Sequence, residues 1–203
     1  NLAVKLKAEF FNICASQPPV PQVPFPEAPI ATLWRNFSNS LESICEYAAA
    51  RNITVLLEPL NLYEGIPGVL TSVYDAIRLI DELGFDNLGV QPDIFHMNIS
   101  EASVTEALHA AGHRIRVVHM NETNHYRLGT GHADYPAIIR TLKDLGFDGY
   151  VTVYAPVVSQ DVFRKKDQAA DRPDLSTALG EQLQLLKQIE SAVDAERSIY
   201  GLP

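Results

Sequence analysis

Ile53-Thr54-Val55-Leu56-Leu57-Glu58, Leu88-Gly89-Val90-Gln91-Pro92-Asp93 and Arg114-Ile115-Arg116-Val117-Val118-His119 decide how this chain is read. Each stretch is a short, largely apolar run that closes on a titratable residue. Runs that are apolar on both faces suit strands of a parallel sheet covered by helices. Pro92 is tolerable in such a strand because pairing is finishing there.

Helical patterns separate the three runs. Before the first, Trp34, Phe37, Leu41, Ile44 and Ala48 recur at spacings of three and four and share one face. After it, Val69, Val73, Ile77, Ile80 and Leu83 form a second face, stopped by Gly84. Ser103 and Glu106 have capping-box spacing and open a short helix that ends at Gly112. Asp134 can cap a further helix with Pro136 in its first turn and Ile138, Ile139, Leu142 and Leu145 as its apolar face. Gly146 stops it. Residues 8–14 and 149–154 read as two more strands, and a closing helix carries Leu179, Leu183, Leu186, Ile189 and Val193.

Five strands alternating with helices make an α/β fold with a parallel sheet. Right-handed crossovers place consecutive strands side by side. An open doubly wound sheet would carry a phosphate-binding glycine loop, and neither GxGxxG nor a Walker motif occurs. Gly129-Thr130-Gly131 reads as a plain turn. A (β/α)₈ TIM barrel accounts for the same strands but needs roughly 250 residues. The 203-residue chain is therefore read as a single domain over residues 1–203, a partial barrel holding the last five strand–helix units. Its first three strands are then absent, and the strand around Phe11 presents an unpaired edge. Closure against another segment or a second copy is expected, so a homo-oligomer is an expected assembly. Six prolines between Pro18 and Pro29 forbid regular structure and mark an extended loop, either over a site or in a long crossover.

Composition excludes several functions. The formal net charge is −9, against the basic surface that a nucleic-acid partner requires. No apolar run approaches the roughly 20 residues of a membrane span. The one basic cluster, Arg164-Lys165-Lys166, is followed by Asp167, Asp171 and Asp174 and reads as a solvated loop. Cys14 and Cys45 lack metal-ligand spacing and read as free core thiols in a reducing cytosol, which makes the expected location cytoplasmic.

The chemistry is expected where the strands end. Glu58, Asp93 and His119 are metal-ligand types placed about one strand–helix unit apart. In a parallel barrel these ends share the face that holds the active site. Two carboxylates buried together repel unless a cation offsets them. Two oxygens and one nitrogen suit Mn²⁺, Mg²⁺ or Co²⁺ rather than a thiol-seeking ion. Each residue alone could instead cap a helix or be a satisfied core group; three in register favour a site.

Three stretches carry a resemblance: Leu57-Glu58-Pro59-Leu60-Asn61-Leu62-Tyr63-Glu64, Asp93-Ile94-Phe95-His96-Met97-Asn98-Ile99 and His119-Met120-Asn121-Glu122-Thr123-Asn124. They resemble the xylose isomerase-like barrel superfamily, in its branch of D-tagatose and D-psicose 3-epimerases. The resemblance runs from about Trp34 to Tyr154. It implies a divalent metal, Mn²⁺ foremost, held by Glu58, Asp93 and His119, and sugar contacts from Glu64 and His96. It also implies proton transfer next to a carbonyl, with Glu58 as a base. The chain departs from the family pattern at Tyr154, where a fourth ligand and second base, a Glu, is expected. It departs again at His125, where an Arg is expected, although Arg127 follows two residues on, and at Leu62, which replaces another Arg. With a phenol of pKa about 10 in place of a carboxylate, metal should be held more weakly. Tyr154 would act as a hydrogen-bond donor or acid. His125 and Arg127 are the expected further substrate contacts.

These residues imply a metal-dependent isomerase or epimerase of a small-molecule sugar. Three other functions stay open on the same residues. One is a dehydratase of an inosose-like or dehydroshikimate-like substrate, and another is a sugar-binding protein without catalysis. An endonuclease for abasic DNA shares the fold but is disfavoured by the acidic charge and the small number of ligands.

Overall fold

The computed structural model describes residues 2–16, 29–66, 68–153 and 175–202. The proline-rich stretch, Tyr154 and the Arg164-Lys165-Lys166 cluster lie outside these. A short helix α1 (Leu2–Lys5) precedes strand β1 (Phe10–Ile13). Then come α2 (Ile30–Ala49), β2 (Thr54–Leu57), α3 (Val73–Leu83), β3 (Leu88–Val90), α4 (Ile94–Ser100) and α5 (Val104–Ala111). A single 3₁₀ turn (Gly112–Arg114) leads into β4 (Val117–His119), followed by α6 (Tyr135–Asp144), β5 (Tyr150–Thr152) and α7 (Leu175–Ile199).

The five strands form a parallel arc in chain order. β2 pairs with both β1 and β3, and β4 pairs with β5. Parallel bridges between Val90 and Ile115 and between Asp93 and His119 join β3 to β4. This is the expected partial barrel. The arc curls far enough for its first and last strands to meet through side chains. The rings of Phe10 and Tyr150 contact edge to face at 5.6 Å, and the Tyr150 hydroxyl donates to Glu9 at 3.2 Å. Strand side chains alternate between two faces. Val55, Leu57, Leu88, Val90 and Val118 join the main hydrophobic core beneath the helices. Leu56 and Glu58 fall on the opposite, inner face.

Local rules place the helices. Ser72, Asp93, Ser103 and Asp134 each cap a helix by accepting a backbone N–H, from Tyr74, Phe95, Glu106 and Ala137 in turn. Gly84 ends α3 with φ +67°, a conformation that favours glycine. Close approach fixes Gly149, where a Cβ would lie 2.2 Å from the Arg116 carbonyl oxygen.

Several elements differ from their sequence expectation. The strands are shorter than the apolar runs, and residues 112–114 form the 3₁₀ turn, with Arg114 paired to Asp81 at 2.6 Å. The region between β3 and β4 holds two helices instead of one. They break at Glu101, whose carboxylate reaches across to accept from the Val73 N–H at 2.7 Å. Val69 is buried but precedes α3. On α7, Leu183 is exposed, and the buried face runs through Ala178, Gln182, Leu186, Val193 and Arg197. Two polar residues hold that face by specific bonds: Gln182 accepts from the Leu128 N–H at 3.2 Å, and Arg197 bonds Asp144. Cys45 is buried as expected, but Cys14 is exposed because it lies just past the end of β1, beyond the cover of the helices.

Candidate active site

Interstrand hydrogen bonds line up the ends of the strands. The Glu58 N–H donates to the Ile13 carbonyl, Gln91 to Leu57, His119 to Pro92 and Met120 to Thr152. Glu58, Asp93 and His119 are thereby set side by side at the C-terminal rim. Their side chains meet: His119 Nδ1 lies 2.8 Å from Glu58 Oε1 and 3.5 Å from Asp93 Oδ2. The fold thus brings Glu58, Asp93 and His119 together at the strand ends.

A carboxamide braces each of the three. Asn12 donates to Glu58 Oε2 at 2.7 Å, and Asn121 donates to Asp93 Oδ2 at 2.7 Å. The Gln91 amide lies against the His119 ring at 2.5 Å from Nε2. Asp93 is the more immobilised carboxylate. It is 3% exposed, its Oδ1 caps α4 through the Phe95 N–H at 2.8 Å, and Oδ2 takes Asn121. Glu58 is 13% exposed and is the more accessible of the two carboxylates.

The electrostatics ask for a cation. Burial works against a charged His119, yet its bonds to Asp93 and Glu58 outweigh that and push its pKa up to about 9. The carboxylate pair thus draws positive charge into the site. Donor chemistry and charge both fit a divalent ion, which would displace that proton.

His96 belongs to the same cluster. Among the described residues, Glu58, Asp93 and His96 each bring a donor atom within 4.8 Å of the others. Burial lowers the His96 pKa, against the pull of Asp93, Glu64 and Glu58. Its ring accepts from the Asn61 N–H at 3.2 Å, and Asn61 also donates to Glu64 Oε1 at 3.0 Å. His125 adopts a left-handed backbone, φ +59°, and stacks on Phe95 at 4.4 Å with 11° between the ring planes. Phe95 in turn meets His96 edge to face at 5.0 Å, so the three rings form one aromatic wall. The Arg127 guanidinium pairs with Glu181 on α7 at 3.2 Å.

Sequence reasoning missed the residues that hold this arrangement. Asn12, Asn61, Gln91 and Asn121 carry no spacing signal, and their partners lie on other strands. Asn61, Asn121 and Glu122 stand within the stretches that carry the resemblance, but their parts are visible only in the fold, most plainly that of Glu122. It is buried and accepts from the backbone N–H groups of Thr123, Gly129 and Ala133 and from the Tyr135 hydroxyl, pinning the loop after β4.

Parallel strand–helix units with titratable groups gathered at the C-terminal rim define a TIM-barrel scaffold. The sequence profile described as xylose isomerase-like TIM barrel matches residues 1–188, and the chain belongs to that family. It is 35% identical over 121 residues to an L-ribulose 3-epimerase of Mesorhizobium japonicum, covering 60% of this chain and 40% of that protein. It is 31% identical over 121 residues to a D-psicose 3-epimerase of Enterocloster bolteae, covering 60% and 39%. A crystal structure of D-psicose 3-epimerase with D-tagatose from Clostridium cellulolyticum superposes with a TM-score of 0.80 at 22% identity, over 93% of this chain and 66% of that one. The chain thus matches about two fifths of the length of these curated relatives and resembles carbohydrate epimerases within the family. Among the described residues, no helix is long and apolar enough to cross a membrane.

Proposed function

We propose that this chain forms the catalytic part of a cytoplasmic, metal-dependent sugar isomerase or epimerase that acts on a ketose by proton transfer next to its carbonyl. The observation that carries the proposal is the meeting of Glu58, Asp93 and His119, with a 2.8 Å contact between Glu58 and His119. These three would hold a divalent ion, Mn²⁺ foremost, which would supply Lewis-acid polarisation of the substrate oxygens. Asp93, tied on both oxygens, serves as a fixed ligand. Glu58, the more accessible carboxylate, takes the proton from the carbon beside the carbonyl. His96 and Glu64 bind sugar oxygens, and the Phe95–His125 wall excludes water from one side. Tyr154 is assigned a donor or acid role on the resemblance alone. Without a second carboxylate in its place, return of the proton to the same face is favoured over inversion at C3.

The test is metal content of the purified protein, together with deuterium uptake from D₂O into L-ribulose, D-psicose and D-tagatose. Bound divalent metal and deuterium beside the carbonyl are expected, and Glu58→Gln should slow the exchange by about 10²–10⁴-fold. Accumulation of a dehydrated product would identify a dehydratase instead. A metal-free protein that binds ketoses without exchange would leave only a binding role.

A further inference from the structure

Asn61 is wholly buried in the turn that follows β2. The orientation of its amide is unambiguous. Oδ1 accepts from the backbone N–H groups of Tyr63, at 3.0 Å, and Glu64, at 3.1 Å, which can only donate. Nδ2 is therefore the other end, and two acceptors face it: Glu64 Oε1 at 3.0 Å and His96 Nδ1 at 2.9 Å. The Asn61 backbone N–H also points at His96 Nδ1, at 3.2 Å. Two donors that cannot accept converge on one ring nitrogen. That nitrogen carries no proton, so a neutral ring carries its proton on Nε2.

We infer that Asn61 is a positioning residue that fixes His96 as an Nε2–H donor, bars it from the metal's ligand set and aligns it with Glu64 to bind sugar oxygens. The inference deepens the sugar-converting reading and rests on it for the identity of the ligand. Two histidines lie within reach of the Glu58–Asp93 pair, and chemistry separates them. A ligating Nε2 needs its own lone pair and a proton on Nδ1. Asn61 forbids that proton, and it also occupies the Nδ1 lone pair. His119 differs: its Nδ1 faces the carboxylates themselves, and the Gln91 amide against its Nε2 has no backbone partners that fix which end, oxygen or nitrogen, meets the ring. His96 is left to donate from Nε2 to a sugar oxygen. Glu64, exposed and held through Oε1, is left to accept a hydroxyl proton on Oε2. One buried amide thereby sets a donor and an acceptor from two different strand–helix units.

The test is long-range ¹H–¹⁵N correlation spectroscopy of the ¹⁵N-histidine-labelled protein at neutral pH, with His96 assigned through His96→Gln. The Nε2–H pattern is expected for His96. In Asn61→Asp, a carboxylate oxygen replaces the donating side-chain amide while the backbone N–H stays, and the Nε2–H pattern should weaken as a form protonated on Nδ1 appears. Mn²⁺ content should stay within about twofold of the parent in both His96→Gln and Asn61→Ala, while KM for L-ribulose rises about tenfold or more in each. The double variant should be no worse than the weaker single one, as expected of residues acting through one another. An Nδ1–H pattern in the parent protein, or Mn²⁺ loss in His96→Gln, would overturn the inference. If the Asn61 variants do not fold, the parent spectrum alone decides. That spectrum needs no sugar, so an Nε2–H ring in a protein that turns over no ketose would sustain the tautomer assignment while sinking the proposed activity.

Discussion

Phe11 on β1 and Val55 on β2 are register partners, paired side by side and pointing to the same outer face of the arc. Val55 is wholly buried, whereas Phe11 is 47% exposed. Their strands read alike in sequence, since both are short apolar runs. What differs is the cover. The outer side of β2 lies under the helical layer, and Val55 and Leu57 join its core. Phe11 instead lines an open groove of about 710 Å³ with Leu2, Leu6, Ile44 and Tyr47. An apolar run announces that a strand wants two covered faces. It does not say which neighbours are at hand to cover them.

That contrast is open to direct test, and its largest expected effect lies on the covered side. Leu57→Ala should destabilise the protein by about 2–5 kcal/mol, because Leu57 is fully buried and its removal leaves a cavity. Phe11→Ala should cost under about 1 kcal/mol, as for other exposed positions. Urea denaturation of both variants measures the difference. Similar losses at the two positions would mean that something covers Phe11 in solution. Sedimentation would then show whether a second copy does so, as the edge of β1, unpaired among the described residues, invites.

Much of this architecture was legible because it depends on local rules. Titratable residues at the ends of apolar runs located Glu58, Asp93 and His119, since parallel strands must end on one face. Caps at Ser103 and Asp134 and the stop at Gly84 are properties of a few consecutive residues. What escaped depends on pairs brought together by the fold. The pairing of Asn12 with Glu58 follows from the β1–β2 register, and that of Asn121 with Asp93 from the bridge between β3 and β4. The buried face of α7 keeps Leu186 and Val193 of the expected set but loses Leu183 and gains polar residues, for a related reason. Gln182 and Arg197 are buried because Leu128 and Asp144 satisfy them, and periodic apolarity cannot register a satisfied polar group. Arg127, expected at the substrate, finds Glu181 on a helix far along the chain.

Beyond β4, where the chain leaves the sheet, the covered side is held in another way. There the seal is polar. Glu122 accepts from the N–H groups of Thr123 at 2.8 Å, Gly129 at 2.9 Å and Ala133 at 3.1 Å, and from the Tyr135 hydroxyl at 3.0 Å. The Gly129-Thr130-Gly131 turn wraps this carboxylate so closely that a Cβ on Gly131 would lie 2.5 Å from Glu122 Oε1. Burial opposes the charge on Glu122, but the bonds from Thr123, Ala133, Tyr135 and Gly129 outweigh it and lower its pKa. The Tyr135 phenol is itself pushed up, by burial and by Glu122, and so remains a donor. With the folded pKa below an unfolded value of about 4.3, the stabilisation is fully present above that value and is lost as pH falls through the folded pKa. Glu122→Gln replaces one acceptor oxygen with a donor that faces other donors. Above about pH 5 the variant should be less stable than the parent by about 1–3 kcal/mol. The gap should narrow as the solution is acidified, because only the parent has a carboxylate there to protonate. The Leu57→Ala deficit contains no titrating group at the mutated site and should stay nearly constant over the same range. Urea titrations of both variants and the parent between neutral pH and the carboxylate range distinguish the two seals. A Glu122→Gln deficit that does not change with pH would show that the loop is held by shape and not by the charge on Glu122.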